Sequence, residues 1–503
     1  MILTQNEINR LFVKFKQKAQ KSLEHGRYDN CLKYLIAACR TAYTFYIGFT
    51  DDEIESMLKN LSIKIRTRKY KGGKPRCVFY DTFSQDAQGL TMQYVDAIIV
   101  AGWEMLYITE FGLADPRSVR LKQTLADCSK ATVITVPSNK KGMAKSQFVY
   151  DAIMDYAPDK LFMHIHPSSV EAVTGFYALP KEIIKYQINL TDHAYWVGAG
   201  CMDYSFEFRE YGAWLSVEHR GLKKEQILML PYYPMMKETA FQGFPQESEE
   251  KVKVFSGASF YKIIDENDTF FKLNKAILDA NPNAVTLFAG GGDMALLNGL
   301  IEKYELQGRF IPIGQRNDIF ECYKHSDIYL SSYPLGGGLM AQYAAHAGLP
   351  ILALANPTSS GKIEEMVCQK HEEVITFDNM DALVAEASRL INDEAYRKSR
   401  GQAMKDCVIG VDEFNRNFKE SVVTGKTQYP LTIDENVKLH YLNVDDKLKL
   451  ENKTKDYQKS IFATVGKGGL FVCPGIWMDG FVARVKSSRI GHLIGKKEEK
   501  RFG

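Results

Sequence analysis

The sequence predicts an α/β chain of two consecutive Rossmann-like halves facing a cleft, with a helical segment before them and an extension after them. Three observations carry this. From Arg76 onward, short apolar runs alternate with stretches of helical period, as in parallel strands joined by helices. The polar run Gln246-Glu247-Ser248-Glu249-Glu250-Lys251 interrupts that alternation near mid-chain and reads as an inter-domain linker. At 503 residues the chain is also too long for one core.

The elements follow in order. In the first 70 residues Leu11, Phe12, Phe15, Cys31, Leu32, Leu35 and Ala38 recur at helical spacing, and Gly26 marks the turn of a helix–turn–helix. This piece is similar to a single tetratricopeptide unit, but no second copy follows, which argues against a repeat array. The basic, glycine-containing stretch 64–76 reads as a linker, with a solvated loop and a phosphate or membrane patch as alternatives. The first half then shows strands at 77–80, 131–136, 160–165, 185–190 and 228–231, one more strand within 202–214, and a single buried element at 94–108. Strands at 252–257, 284–289, 309–312, 328–332 and 351–355 make the second half, with helices at 267–279, 294–304, 318–325, 340–346, 381–391 and 394–404. The boundaries are 1–70 for the helical segment, 71–245 and 246–425 for the two halves, and 426–503 for the extension.

Composition excludes several classes. A formal charge of +3 gives no global attraction to nucleic acid. Nine cysteines without a CxxC pair, most in apolar runs, read as reduced thiols of a cytoplasmic protein. The longest apolar stretch, 94–108, contains Asp96 and Glu104 and is too short to span a bilayer. The basic end, with Lys496 and Arg501 but also Glu498 and Glu499, leaves peripheral contact with an anionic membrane open.

The most informative local feature is the run Gly336-Gly337-Gly338 between a strand and a small-residue helix that ends at Gly348-Leu349-Pro350. Glycines let a backbone approach a ligand with no Cβ in the way, and open amides at a helix start attract an anion. With Phe310 to Arg316 just upstream, the pattern points to a nucleoside diphosphate at a sheet edge.

Four patterns together resemble the GT-B glycosyltransferases, most closely the O-GlcNAc transferase group and the bacterial cytoplasmic N-glucosyltransferases. Phe255-Ser256-Gly257-Ala258-Ser259-Phe260-Tyr261-Lys262-Ile263 is similar to that group's N-x-x-x-x-Y-K-I segment, in which the lysine meets the donor diphosphate. Residues 310–327 resemble its uracil-holding segment, and the glycine turn with Ala347-Gly348-Leu349-Pro350 resembles its diphosphate loop. Asp192-His193-Ala194, with Met202-Asp203-Tyr204 behind it, resembles the acceptor-side stretch of the asparagine-modifying members. The chain departs from the pattern where His-Thr-Thr is replaced by Gly338-Leu339-Met340, and where the ribose-binding aspartate falls near Gln342 or Tyr343.

The resemblance implies a GT-B fold and a metal-independent transfer of sugar from a UDP-linked donor to a protein, glycan or lipid-linked acceptor. The donor is a substrate, and no cofactor is called for. On this reading Lys262 is the cation that meets the leaving diphosphate, a surface lysine being the alternative. Ser256, Gly314, Arg316, Gly336, Gly337, Gly338, Leu339 and Gln342 line the nucleotide, with a helix-capping arginine as the other reading of Arg316. His193 and His166 are the acceptor-side candidates; His164 and His166, two apart on a strand, point to opposite faces and lack a third metal ligand. A second class of function stays open: a GT-B-like subunit without catalysis, acting as partner or chaperone of a transferase. A homo-oligomer is also left open.

Overall fold

The computed structural model describes residues 3–72, 74–86, 90–236, 239–356, 362–431 and 447–486. Residues 87–89 and the basic end at 487–503 lie outside the described residues.

Three helices open the chain: α1 (Gln5–Glu24), α2 (Tyr28–Phe45) and α3 (Asp52–Ser62). A capping box between Thr4 and Glu7 starts α1, and Ile8, Phe12, Phe15 and Ala19 form its buried stripe. This stripe shares one continuous core with the first half, reaching Val78, Met163 and Trp196.

The first half alternates strand and helix. Its order is β1 (Lys74–Asp81), α4 (Thr91–Val100), β2 (Glu104–Thr109), α5 (Val119–Asp127), β3 (Ala131–Thr135), α6 (Met143–Tyr156) and β4 (Pro158–His164). Then come α7 (Val170–Tyr177), β5 (Ile184–Ile188), β6 (Tyr204–Glu207), α8 (Glu210–Glu218) and β7 (Ile227–Met229). The strands form a parallel 7-stranded sheet in the order β3-β2-β1-β4-β5-β6-β7. The stretch 94–108, expected as one element, is the helix α4 and the strand β2 separated by Gly102 at φ +78°. Both pieces are largely buried, so their apolar run shows no period that would separate them.

The second half repeats the scheme with β8 (Val252–Gly257), α9 (Thr269–Ala280), β9 (Ala284–Ala289), α10 (Met294–Lys303), β10 (Phe310–Gly314) and α11 (Ile319–Lys324). It continues with β11 (Ile328–Leu330), α12 (Gly338–Ala347), β12 (Ile351–Leu354), α13 (Glu364–Val367), β13 (Thr376–Phe377), α14 (Met380–Asn392) and α15 (Glu394–Cys407). Its 6-stranded sheet runs β10-β9-β8-β11-β12-β13. All of β9 is buried, as a central strand covered on both faces by helices must be.

The chain then crosses back. Helix α16 (Val411–Thr424) falls within the range read from sequence as the second half, yet it packs on the first sheet. Phe414 and Phe418 meet Tyr94 edge-on at centroid distances of 5.4 and 5.5 Å. The extension follows as α17 (Lys447–Val465), α18 (Gly469–Val472) and α19 (Pro474–Lys486). It covers the N-terminal helices: Tyr457 Oη lies 2.7 Å from Thr41 Oγ1, and Arg40 donates to Ser460 Oγ at 2.7 Å.

Two glycines give opposite expectations. A Cβ at Gly401 would sit 2.0 Å from the Gly348 carbonyl oxygen, so α15 and the end of α12 touch backbone to backbone. Gly401→Ala is expected to destabilise the protein by about 1–3 kcal/mol. Gly299, exposed within α10, would meet nothing within 4 Å, and Gly299→Ala should stabilise by about 0.5–1 kcal/mol. Urea unfolding of both variants checks the pair; equal shifts would refute the packing account.

Candidate active site

In open α/β sheets the ligand crevice lies beyond the strand ends where strand order reverses. In the second sheet the reversal falls between β8 and β11. The 3-10 turn Phe260–Lys262 follows β8, and the glycine turn follows β11. The two are clipped together, since the Leu335 amide donates to the Lys262 carbonyl at 3.4 Å. Ser332 Oγ donates to the Leu335 carbonyl at 2.7 Å, and Asn356 Nδ2 to that of Pro334 at 2.9 Å. The loop is thus held by its own backbone and neighbours before any ligand arrives.

Helix α12 begins at Gly338 with Gly337 as its N-cap, and no side chain caps its first amides. Those donors, with the positive end of the helix dipole, can serve an anion. Close packing explains the glycines. A Cβ on Gly338 would stand 2.8 Å from Met366 Cγ, and one on Gly257 would stand 2.3 Å from Met340 Cε. Leu339 is 45% exposed at the helix mouth. On the far rim Gly314 takes φ +69°, and its carbonyl accepts from the Gly290 amide at 2.9 Å.

Three residues expected to line the nucleotide do something else. Arg316 gives both sides of its guanidinium to Asp318, at 2.7 and 2.6 Å, and a third donor to the Gly243 carbonyl at 2.9 Å. Phe241 and Phe244 flank it, so it anchors the linker between the halves. Gln342 is buried, and its amide nitrogen bridges the Tyr232 and Met366 carbonyls at 2.9 and 3.0 Å. Ser256 is fully buried in β8 with its hydroxyl unpartnered, so it lies under the site rather than in its wall.

The first sheet reverses between β1 and β4, which places Asp81 and the His164–His166 pair at its crevice. His164 is fully buried, with Nδ1 3.2 Å from Asp81 Oδ1. Asp81 also accepts from Tyr107 Oη at 2.6 Å and Thr91 Oγ1 at 2.8 Å, a network that braces the loop after β1.

His166 and His193 differ in what they can do. The Ser168 amide donates to His166 Nδ1 at 3.2 Å, so the neutral ring carries its proton on Nε2 and presents a donor there. Burial, helped by the charge of Arg40, pushes the His166 pKa down to about 4, which keeps the ring neutral. This geometry suits a donor that orients a substrate better than a base. His193, 45% exposed, sits beside Asp192, its Nδ1 3.1 Å from Oδ1. Because an ionised carboxylate only accepts, Nδ1 holds the proton and Nε2 offers its lone pair to the cleft side.

Asp192 is buried and held by the Arg209 guanidinium through Nε and, at 3.0 Å, Nη2. Burial alone would raise its pKa, but the Arg209 charge and the His193 hydrogen bond bring it well below the ordinary range. The chain of charge continues across the cleft. Glu365 of α13 stands near Arg209 and accepts from the Tyr211 amide at 3.0 Å, and burial pushes its pKa up to about 7 against the pull of Arg209.

The helical segment contributes two rings that sequence reading missed. Tyr43 packs edge-on against His166 at 5.3 Å, and Tyr46 lies 6.4 Å from His193. Tyr46, with φ +55° at the end of α2, also approaches Tyr261 closely enough to help raise its pKa after burial. Tyr46 thus neighbours His193 of one half and acts electrostatically on Tyr261 of the other. A contact formed between segments so far apart leaves no local pattern in the chain.

Comparison with known proteins agrees with the fold. Residues 236–406 match the family model described as glycosyl transferases group 1. A glycosyltransferase from Rickettsia africae ESF-5 superposes with a TM-score of 0.51 at 12% identity, covering 70% of this chain and 99% of that one. A mutant O-GlcNAc transferase from Thermobaculum terrenum superposes with a TM-score of 0.50 at 12% identity, covering 82% of each chain. No curated protein matches the sequence. The fold is GT-B, and within it residues 236–406 of this chain are similar to the glycosyl transferases group 1 family.

Proposed function

We propose that this chain transfers a hexosyl or N-acetylhexosaminyl group from a UDP-linked donor to a protein, glycan or lipid-linked acceptor in the cytoplasm, with no metal at the reaction centre. One observation carries the reading: Lys262 and the Gly336–Gly338 turn are clipped together at the reversal of the second sheet. The family match over the same half supports sugar transfer.

The residues divide the work. The bond from the sugar's anomeric carbon to the diphosphate oxygen breaks as the acceptor's bond to that carbon forms. Lys262 and the first amides of α12 meet the charge growing on the departing UDP. His193 Nε2 takes the acceptor's proton, and Asp192 steadies the ring as it becomes cationic. His166 Nε2–H orients the acceptor.

One feature favours a second reading, a non-catalytic partner subunit: Gly338-Leu339-Met340 brings no hydroxyl or imidazole to the phosphates. Release of UDP from UDP-glucose and UDP-N-acetylglucosamine separates the two. Turnover that falls at least about tenfold in His193→Ala supports catalysis. UDP binding without turnover of either donor would favour the partner reading.

A further inference from the structure

Among the described residues, one group unites three kinds of metal ligand: His371, Glu373 and Cys407 each place a donor atom within 4.8 Å of the others. Cys407 Sγ is 3.2 Å from His371 Nε2, which is 3.7 Å from Glu373 Oε1. Donors about 2.0–2.3 Å from a tetrahedral zinc stand roughly 3.3–3.8 Å apart. These two separations fall at or near that range, so only small side-chain shifts are needed.

The surroundings are arranged for such a site. Arg400 Nη1 holds Glu373 Oε2 at 2.5 Å, which fixes the carboxylate and leaves Oε1 toward His371, as outer partners of metal ligands do. Cys407 is the last residue of α15, and Cys368 lies beside it as a further sulfur. His371 is 45% exposed, so an ion has an entry path. The group is remote from the cleft. It adjoins Lys370, which with Lys405 acts on His346 near the far end of α12. The 10 residues of that helix put the glycine turn about 15 Å away.

We propose that His371, Glu373 and Cys407 bind one Zn²⁺ that pins the loop after α13 to the end of α15. The mixed sulfur, nitrogen and oxygen set suits zinc, and binding releases the Cys407 thiol proton to solvent as the Zn–S bond forms. The location gives the ion a task. In the same loop the Lys370 amide donates to the Cys407 carbonyl at 3.0 Å, and Gln369 Oε1 accepts from the Ile409 amide at 2.8 Å. Gln369 Nε2 reaches the Tyr232 carbonyl at 3.0 Å. The ion would therefore stiffen the place where the chain leaves the second half for the first.

Titration of the metal-stripped full chain with Zn²⁺, and separately with Co²⁺, tests this. One Zn²⁺ per chain is expected, with thiolate-to-cobalt charge-transfer absorption in the Co²⁺ form. Cys407→Ser should abolish that absorption, and His371→Gln, at a half-exposed position that folding tolerates, should weaken Zn²⁺ binding at least about tenfold. UDP binding should survive both changes, which separates this site from the proposed active site. Absence of stoichiometric zinc, absence of the cobalt–thiolate band, or unchanged affinity in His371→Gln would overturn the proposal.

Discussion

Lys262→Ala is expected to lower turnover of the nucleotide-sugar by about 10²–10³-fold with the fold intact, the loss typical of removing one stabiliser of developing charge. At this position the Lys262 carbonyl accepts from the Leu335 amide, and the Lys262 amide donates to the Ser259 carbonyl. Alanine keeps both backbone bonds and removes the side chain beyond Cβ, the ammonium with it. Affinity for UDP should fall less than turnover, because charge on the diphosphate grows as the sugar leaves. Steady-state kinetics with circular dichroism and thermal unfolding read all three quantities. Unchanged turnover would remove Lys262 from the reaction centre.

The second large effect concerns stability. Arg209→Met leaves the carboxylate of Asp192, 1% exposed, without its cationic partner, and should cost about 3–5 kcal/mol at neutral pH. The sign with pH follows from the direction of the shift. Burial opposes ionisation of Asp192, but Arg209 overrides it and depresses the folded pKa. In the wild type that stabilisation is present above the unfolded pKa of about 4 and is lost as pH falls through the folded value. In the variant burial acts against a charge that no longer has Arg209, so the folded pKa rises and the deficit shrinks on acidification as the carboxyl takes a proton. Urea unfolding at neutral pH and at about pH 4 measures both arms. A deficit under 1 kcal/mol, or one independent of pH, would contradict the buried-pair account. Turnover should fall as well, since a protonated or displaced Asp192 no longer holds His193.

The sequence carried the parts of this molecule that depend on local spacing. Alternation of apolar runs and helices marked the strands of both sheets except β2 and β13, and the Tyr261-Lys262 and Gly336–Gly338 motifs flank a single reversal of strand order. Side-chain direction was another matter. Arg316 and Gln342 stand at the right places along the chain for ligand contact, but Asp318 two residues on captures one, and the Tyr232 and Met366 carbonyls capture the other. Nothing in a one-dimensional pattern distinguishes a guanidinium aimed at phosphate from one folded back onto a carboxylate. The return of α16 to the first sheet was hidden for a related reason: an amphipathic helix records that it has a buried face, not which core receives it. The Asp192–Arg209 pair and the approach of Tyr46 to His193 join residues distant in the chain, and pairwise chemistry at such separations leaves no periodicity to read.

The most direct test of the central claim is calorimetric titration of UDP into the purified chain. The account predicts saturable binding of one UDP per chain, weakened by Lys262→Ala and lost in Gly338→Val, whose side chain would collide with Met366 at the mouth of α12. Absence of binding at millimolar UDP by the folded wild type, or full binding by Gly338→Val, would contradict it.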